Sequence, residues 1–265
     1  MAITTLDGYI AASKQRLKWF KSASRTGVAA MPESVFDVAG NPGAGTLNVG
    51  NTANGLVHTD ATNGYPVINA FGGSNTGYIT KVEYGSTVAG WIEIYDRLFT
   101  CGAYSFNSNV TLASQPSFSS RVPGGTDFHG LGLWFEGVTA FTGNPAVTIT
   151  YTDQDGNAGH TTGSYNPGYA PILGRCFQIP LASGDSGIQK IESVLCGTAT
   201  AGTFNVNVLR PLWSGRCISN NAGDVHDLLR TGLVQVFADS ALFVMITADS
   251  TATGIPDVVV EITNG

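Results

Sequence analysis

From Tyr78 onward, apolar and polar residues alternate in short runs separated by Gly, Asn, Asp, Ser and Pro, the period of a half-buried strand. Eleven such runs cover 77–85, 90–101, 130–138, 146–153, 158–165, 175–182, 188–197, 203–212, 233–238, 241–248 and 257–263. Their Val, Ile, Thr and aromatic content suits a pleated, half-buried surface. Within TYTDQDGNAGHTT, the pair Asp155-Gly156 signals a tight hairpin turn, because such turns require positive φ. One segment of this half, DVHDLLRT with Asp224 as its cap, predicts a helix. Many strands without crossover helices predict a mainly β fold, an antiparallel β-sandwich of jelly-roll type, over residues 78–265. FTGNPAVTITYTD and GTATAGTFNVNVL are loosely alike, so two small sandwiches, 78–165 and 172–265, are the alternative division.

The first 77 residues follow another pattern. Leu6, Ile10, Leu17 and Phe20 fall at helical spacing, with Thr4 or Thr5 as a cap, and Lys14, Lys18, Lys21 and Arg25 form an adjacent stripe. This predicts a basic amphipathic helix over residues 1–26. Residues 27–77 are rich in Gly, Pro, Asn, Ala and Thr, as in AGNPGAGTLNVGNTANG, and lack either periodicity over most of their length. They predict a long extended arm, which at about 3.3 Å per residue could reach a neighbouring subunit. Trp19, next to Phe20, is suited to anchoring the helix in a groove of that neighbour.

Composition adds a reason to expect such packing. The 265 residues are 43% hydrophobic but only 12% charged, against about 25% in ordinary soluble domains, so much of the surface must be neutral. The net charge of −6 is uneven: residues 1–25 carry +4, from Lys14, Arg16, Lys18, Lys21 and Arg25 against Asp7, which leaves −10 for the rest. The N-terminus therefore calls for an acidic partner, and another protein surface, including a second copy of this body, is expected rather than nucleic acid. No run approaches the roughly 18 apolar residues that span a bilayer, and no membrane partner is expected. Cys101, Cys176, Cys196 and Cys217 have neither CxxC nor metal-ligand spacing, so they predict free, buried thiols. With no signal-peptide pattern at the N-terminus, synthesis in a reducing cytoplasm is expected.

Several motifs imitate chemistry. Gly184-Asp185-Ser186-Gly187 matches the residues around the nucleophile of chymotrypsin-like proteases, and His58 and Asp96 precede it in that family's order. Yet His58 lies in the irregular arm, and Ile188 stands where that family has a second glycine. A turn is the simpler reading, since Gly, Asp and Ser are turn residues. Asp153, Asp155 and Asn157 imitate the start of a calcium loop, but the twelfth position is Ser164 rather than Glu and the flanks are strand-like, which again favours a hairpin. His58, His129, His160 and His226 show no ligand spacing and are expected to be surface or loop residues. Trp91, Trp134 and Trp213 lie in strand runs and are expected in the core or at an interface. No catalytic, metal or cofactor residue is assigned.

Three segments, Trp91–Ser105, Val147–Gly163 and Phe177–Leu212, together resemble a diffuse family of tailed-bacteriophage structural proteins. They carry, in order, a Tyr-Asp-Arg-Leu strand, a Tyr-Thr-x-x-x-Gly-x-Ala-Gly hairpin, and a Gly-Asp-Ser-Gly loop leading to a strand that ends Arg-Pro-Leu. The resemblance covers about half the chain, and His160 replaces the arginine expected after Ala-Gly. It implies a virion component of the kind found among head and tail structural proteins, with no catalysis to carry over. With the sparse charge, β body and arm, the leading expectation is a capsid decoration or stabilising protein, made in the host cytoplasm and partnered by capsid or virion subunits, including copies of itself. A tail or baseplate part with an outward, glycan-binding sandwich is the alternative, and a cell-wall-active enzyme a remote one. On this reading the partner-binding residues are Leu6, Ile10, Lys14, Leu17, Lys18, Trp19, Phe20, Lys21 and Arg25.

Overall fold

The computed structural model describes residues 5–71, 76–143, 146–166, 173–197 and 200–264. A short helix, α1 (Leu6–Ala11), precedes strands β1 (Lys14–Lys21), β2 (Pro32–Ser34), β3 (Gly40–Asn41), β4 (Asn51–Val57), β5 (Thr76–Ser86) and β6 (Gly90–Ser105). There follow β7 (Asn109–Thr111), β8 (Gly132–Thr139), β9 (Val147–Asp153), β10 (His160–Thr161), β11 (Cys176–Ile179) and β12 (Ile188–Cys196). The chain ends with β13 (Thr203–Cys217), β14 (Ala222–His226), β15 (Gln235–Phe237), β16 (Leu242–Ala248) and β17 (Pro256–Asn264). All eleven predicted runs contain a strand, and the expected mainly β, antiparallel architecture is what the chain forms.

The strands make three sheets: six strands in the order β14-β5-β17-β1-β3 with β15 beside β5, four in the order β10-β9-β12-β7, and seven in the order β11-β8-β13-β6-β16-β2 with β4 beside β6. The long β6 and β13 tie these layers together. Their outer halves, with Ile92, Ile94, Leu212 and Trp213, pack on Leu17, Trp19, Val258 and Val260 of the six-stranded sheet. Their other halves, with Phe99, Tyr104, Phe204 and Val206, pack on Ile149, Tyr151, Ile191 and Val194 of the four-stranded sheet. Because β6 pairs with β13 and β5 with β17, the two halves of the sequence interleave, and the division into consecutive sandwiches over 78–165 and 172–265 is not seen.

The N-terminal expectation is corrected. The helix stops at Ala11, and Lys14–Lys21 runs as a strand whose residues 14–20 pair with 263–257 of β17. Strand geometry sends Leu17, Trp19 and Lys21 inward and Arg16, Lys18 and Phe20 outward; a helix would have placed Leu17 and Phe20 on one face. Burying Leu17 and Trp19 is worth about 1.5–3 kcal/mol each, more than a marginal isolated helix can return. Lys21 completes the inward alternation and hid it, since a lysine reads as a surface residue. Its ammonium donates to the carbonyl of Pro42 at 2.8 Å, and burial lowers its pKa to about 8.

The predicted arm is corrected in the same way. It contributes β2, β3 and β4 and lies along its own body, with Val35, Phe36, Leu47, Tyr65, Ile68 and Phe71 buried. Its polar backbone is latched down by body side chains: Asn205 donates to Leu47 O at 2.7 Å and Tyr104 to Thr52 O at 2.8 Å. The predicted helix at DVHDLLRT is instead β14 followed by a turn, in which Asp227, not Asp224, accepts the amides of Leu229 and Arg230.

Candidate functional site

At the N-terminus, Thr5 Oγ1 accepts the amide of Gly8 at 3.0 Å and starts α1. Lys14 closes its other end, with Nζ donating to Tyr9 O at 2.6 Å and Ala12 O at 3.1 Å. No residue of this helix is buried, and Leu6 and Ile10 are 67% and 66% exposed. The basic residues that were expected to seek a partner are engaged within the chain. Arg16 lies 3.6 Å from Glu83 and 3.5 Å from Glu261, Lys18 lies 3.5 Å from Asp257, and Arg25 pairs with Asp37 and the carbonyl of Leu173. Thus the acidic body expected as a partner is this chain's own. Leu17, Trp19 and Lys21 face the core, while Leu6, Ile10 and Phe20 remain outside.

The protease-like trio is not assembled. His58 is buried, with Nε2 2.9 Å from Thr100 Oγ1, and burial, reinforced by the guanidinium groups of Arg97 and Arg121, holds it neutral. Asp96 is buried too, accepting from Ser240 Oγ at 2.7 Å. A different histidine, His129, meets Ser186, with Nδ1 2.6 Å from Oγ, a pairing across 57 positions that no spacing rule signals. The two amides that could face an oxyanion, Ser186 N and Gly187 N, both donate to Gln154 Oε1 at 2.9 and 3.2 Å. A nucleophilic site needs those donors free and an acid orienting the base. The donors are occupied here, and Asp127 beside His129 accepts its backbone amide instead.

The motifs that carry the phage-protein resemblance meet one another in space. Tyr-Asp-Arg-Leu on β6 and Arg-Pro-Leu on β13 are cross-strand partners, with Asp96 opposite Arg210 and Tyr95 opposite Pro211. They build a buried ionic centre. Asp96 lies 3.3 Å from Arg121 and 3.5 Å from Arg210, and Arg97 donates to Glu136 at 2.5 Å. Arg121 also donates to the carbonyls of Arg97, Leu98 and Asp239, and Arg97 stacks over Phe243 with its guanidinium carbon 4.2 Å from the ring centroid. Arginines suit this role because they keep their charge when buried and fork to several acceptors. The centre joins β6, β8, β13 and the 118–122 turn, and the side chains of Asp96, Arg97, Arg121 and Glu136 have no solvent exposure.

The other two motifs meet at the surface. Asp155-Gly156 makes the predicted hairpin turn, with Gly156 at φ +89°, and Asp153 Oδ1 accepts the amides of Asp155 and Asn157 at 2.9 and 2.8 Å. The calcium-like DxDxN pattern is therefore turn chemistry. Tyr151 donates to Asp185 Oδ2 at 2.5 Å, and His160 Nδ1 lies 2.8 Å from the same oxygen. Burial, and then the Asp185 bond, push the Tyr151 phenol up to about 12. The expectation that all four histidines are surface or loop residues is corrected for His226, which lies on β14 and is buried between Tyr84 and Trp213; His58 follows β4 in a loop but is buried. Trp134 and Trp213 are buried as expected, and Trp91 is 42% exposed. All four cysteines are buried and unpaired.

Among the described residues, no helix is long and apolar enough to cross a membrane. The chain matches no family model and no curated protein. Among solved structures, the VP2 subviral particle of infectious bursal disease virus aligns with 10% identity over 95% of this chain and 79% of that chain, at a TM-score of 0.22. The Gx strain of the same virus aligns with 9% identity over 95% of this chain and 80% of the other, at a TM-score of 0.17. Similarity at this level supports neither a fold assignment nor a function.

Proposed function

We propose that this chain is a non-enzymatic structural component of a virus particle, a decoration or stabilising protein of a tailed-phage capsid that binds neighbouring subunits, copies of itself included. The observation that carries the reading is α1: a six-residue helix none of whose residues is buried, with its apolar Leu6 and Ile10 turned to solvent. A helix this short does not persist alone in water and gains from a surface to bury against. Two further features agree with binding rather than catalysis. Charge is sparse, at 12% of residues, and the protease-like loop commits its potential donors to the Gln154 side chain. Modest contacts of this kind become strong when many copies share one particle, since each attachment raises the effective concentration of the next.

Because β1 to β4 belong to the body, attachment falls to the residues before β1, not to a reaching arm. Locating and counting the chain in purified particles, by microscopy and quantitative mass spectrometry, tests the proposal. Hundreds of copies on the shell support decoration; a handful at the tail support the tail component; none in the particle overturns both.

A further inference from the structure

We propose that His160 is a proton-operated clasp that fastens the β9–β10 hairpin to the Gly184–Gly187 loop, closed when the imidazole carries both its protons and released as pH rises. The geometry is specific. His160 Nδ1 lies 2.8 Å from Asp185 Oδ2 in the loop, and its Nε2 lies 3.6 Å from Asp153 Oδ2 at the end of β9. Each ring nitrogen thus faces a different carboxylate. A neutral imidazole has one N–H and presents a lone pair at its other nitrogen, so it satisfies one acid and repels the other. Only the imidazolium is attracted to both, donating to Asp185 and pairing by charge with Asp153.

A metal ion is a poorer occupant, although these three side chains can bring ligand atoms within 4.8 Å of one another. An ion takes one ring nitrogen and needs both carboxylates to converge with it on a single point, whereas here the ring lies between the acids. The acids are also already engaged. Asp153 accepts two turn amides and Asn157 Nδ2, and Asp185 Oδ2 accepts the Tyr151 hydroxyl. A second proton on the ring answers the placement of one carboxylate beside each nitrogen.

The surroundings favour that proton. From β12, Glu192 accepts the Gly159 amide next to His160 and the Thr152 hydroxyl, adding a third carboxylate to Asp153 and Asp185. Asp155 occupies the hairpin tip, bound to Gln154; the basic residue of β12, Lys190, is in register with Thr152; and His129 sits across the loop on Ser186. The bond to Asp185, followed by the fields of Asp185, Asp153 and Glu192, raises the His160 pKa above the ordinary histidine value. The sign follows. A raised folded pKa gives a contribution that is complete below the unfolded value of about 6.5 and lost as pH climbs through the folded one. Asp153, whose pKa is lowered chiefly by Asn157, stays ionised across that window, so the switch belongs to the histidine.

The experiment is a titration of the full chain by NMR, following the His160 ring proton, together with hydrogen exchange of the 154–159 and 184–187 amides corrected for intrinsic rate. His160 should titrate above about 6.5, and Asp185→Asn should lower that midpoint. Exchange of both segments should accelerate by about threefold or more between about pH 6 and about pH 8.5. His160→Arg, a permanent cation, should hold them protected across that range, and His160→Gln should leave them open throughout, with core amides unchanged in both. A midpoint at or below about 6.5 that ignores Asp185→Asn would overturn the proposal. So would exchange that is independent of pH in the unaltered chain, or zinc that binds the cluster and abolishes the His160 titration.

Discussion

The buried ionic centre and the surface cluster at the hairpin tip are each built where two short motifs meet, yet they put charge to opposite uses. In the centre, Asp96, Arg97, Arg121 and Glu136 have no solvent contact, and the cations are arginines, which do not lose their protons. At the surface, the cation facing Asp153 and Asp185 is a histidine whose side chain is one-third exposed, and its proton is exchangeable. Burial decides the difference: a charge removed from water must be permanently compensated, whereas a charge at the surface can be adjusted. The centre fixes how β6, β8 and β13 sit together, and the cluster sets how firmly one edge of the molecule is held.

That contrast can be broken most severely at Glu136. Replacing it with Ala leaves Arg97 and the amides of Asn205 and Asn207 without their shared acceptor, and should cost about 3–5 kcal/mol. Urea unfolding would read this directly, and a loss below about 1 kcal/mol would show that the centre is not structural.

Lys21 extends the comparison to a buried cation without a carboxylate in contact. With a folded pKa lowered to about 8, the folded state pays to hold the proton at neutral pH. Lys21→Met should therefore be neutral or stabilising by about 1 kcal/mol at pH 7, and its advantage should shrink between about 8 and the unfolded lysine value near 10.4. Thermal unfolding across that range checks both the sign and the window.

The smallest effect is expected at Ser186. Its hydroxyl meets an exposed histidine and its amide, which donates to Gln154 Oε1, is kept by the substitution, so Ser186→Ala should change stability by within about 0.5 kcal/mol and leave particle assembly intact. A hydrolytic activity lost in this variant would restore the protease reading.

The strands after Tyr78 were legible because their apolar alternation is long and uninterrupted, as in Val147, Ile149, Tyr151 and Asp153 of β9, which all face inward. The hairpin was legible from Asp155-Gly156. β1 was not, because only Leu17 and Trp19 marked its inner face, a buried lysine took the third position, and Phe20 pointed out. Strand β4 carries mostly Asn, Thr, Ala and Gly, with Gly55 its one buried position; it is fixed by β6 beside it rather than by its own pattern. The candidate site divides in the same way. Motif order was readable, but not that Asp96 faces Arg210 or that His160 reaches Asp185, since these contacts depend on register between distant strands. The basic stripe was visible while its acidic partners on β5 and β17 were not.

The most direct test of the account concerns attachment through α1 by apolar contact, without chemistry and without the basic stripe. Copy number per particle should be measured for the unaltered chain and for Leu6→Asp/Ile10→Asp, two substitutions at exposed positions that leave the body folded. The double variant should stay soluble and folded but be absent from particles, or nearly so. Full occupancy by the double variant would contradict attachment through α1 and transfer the contact to another face of the body.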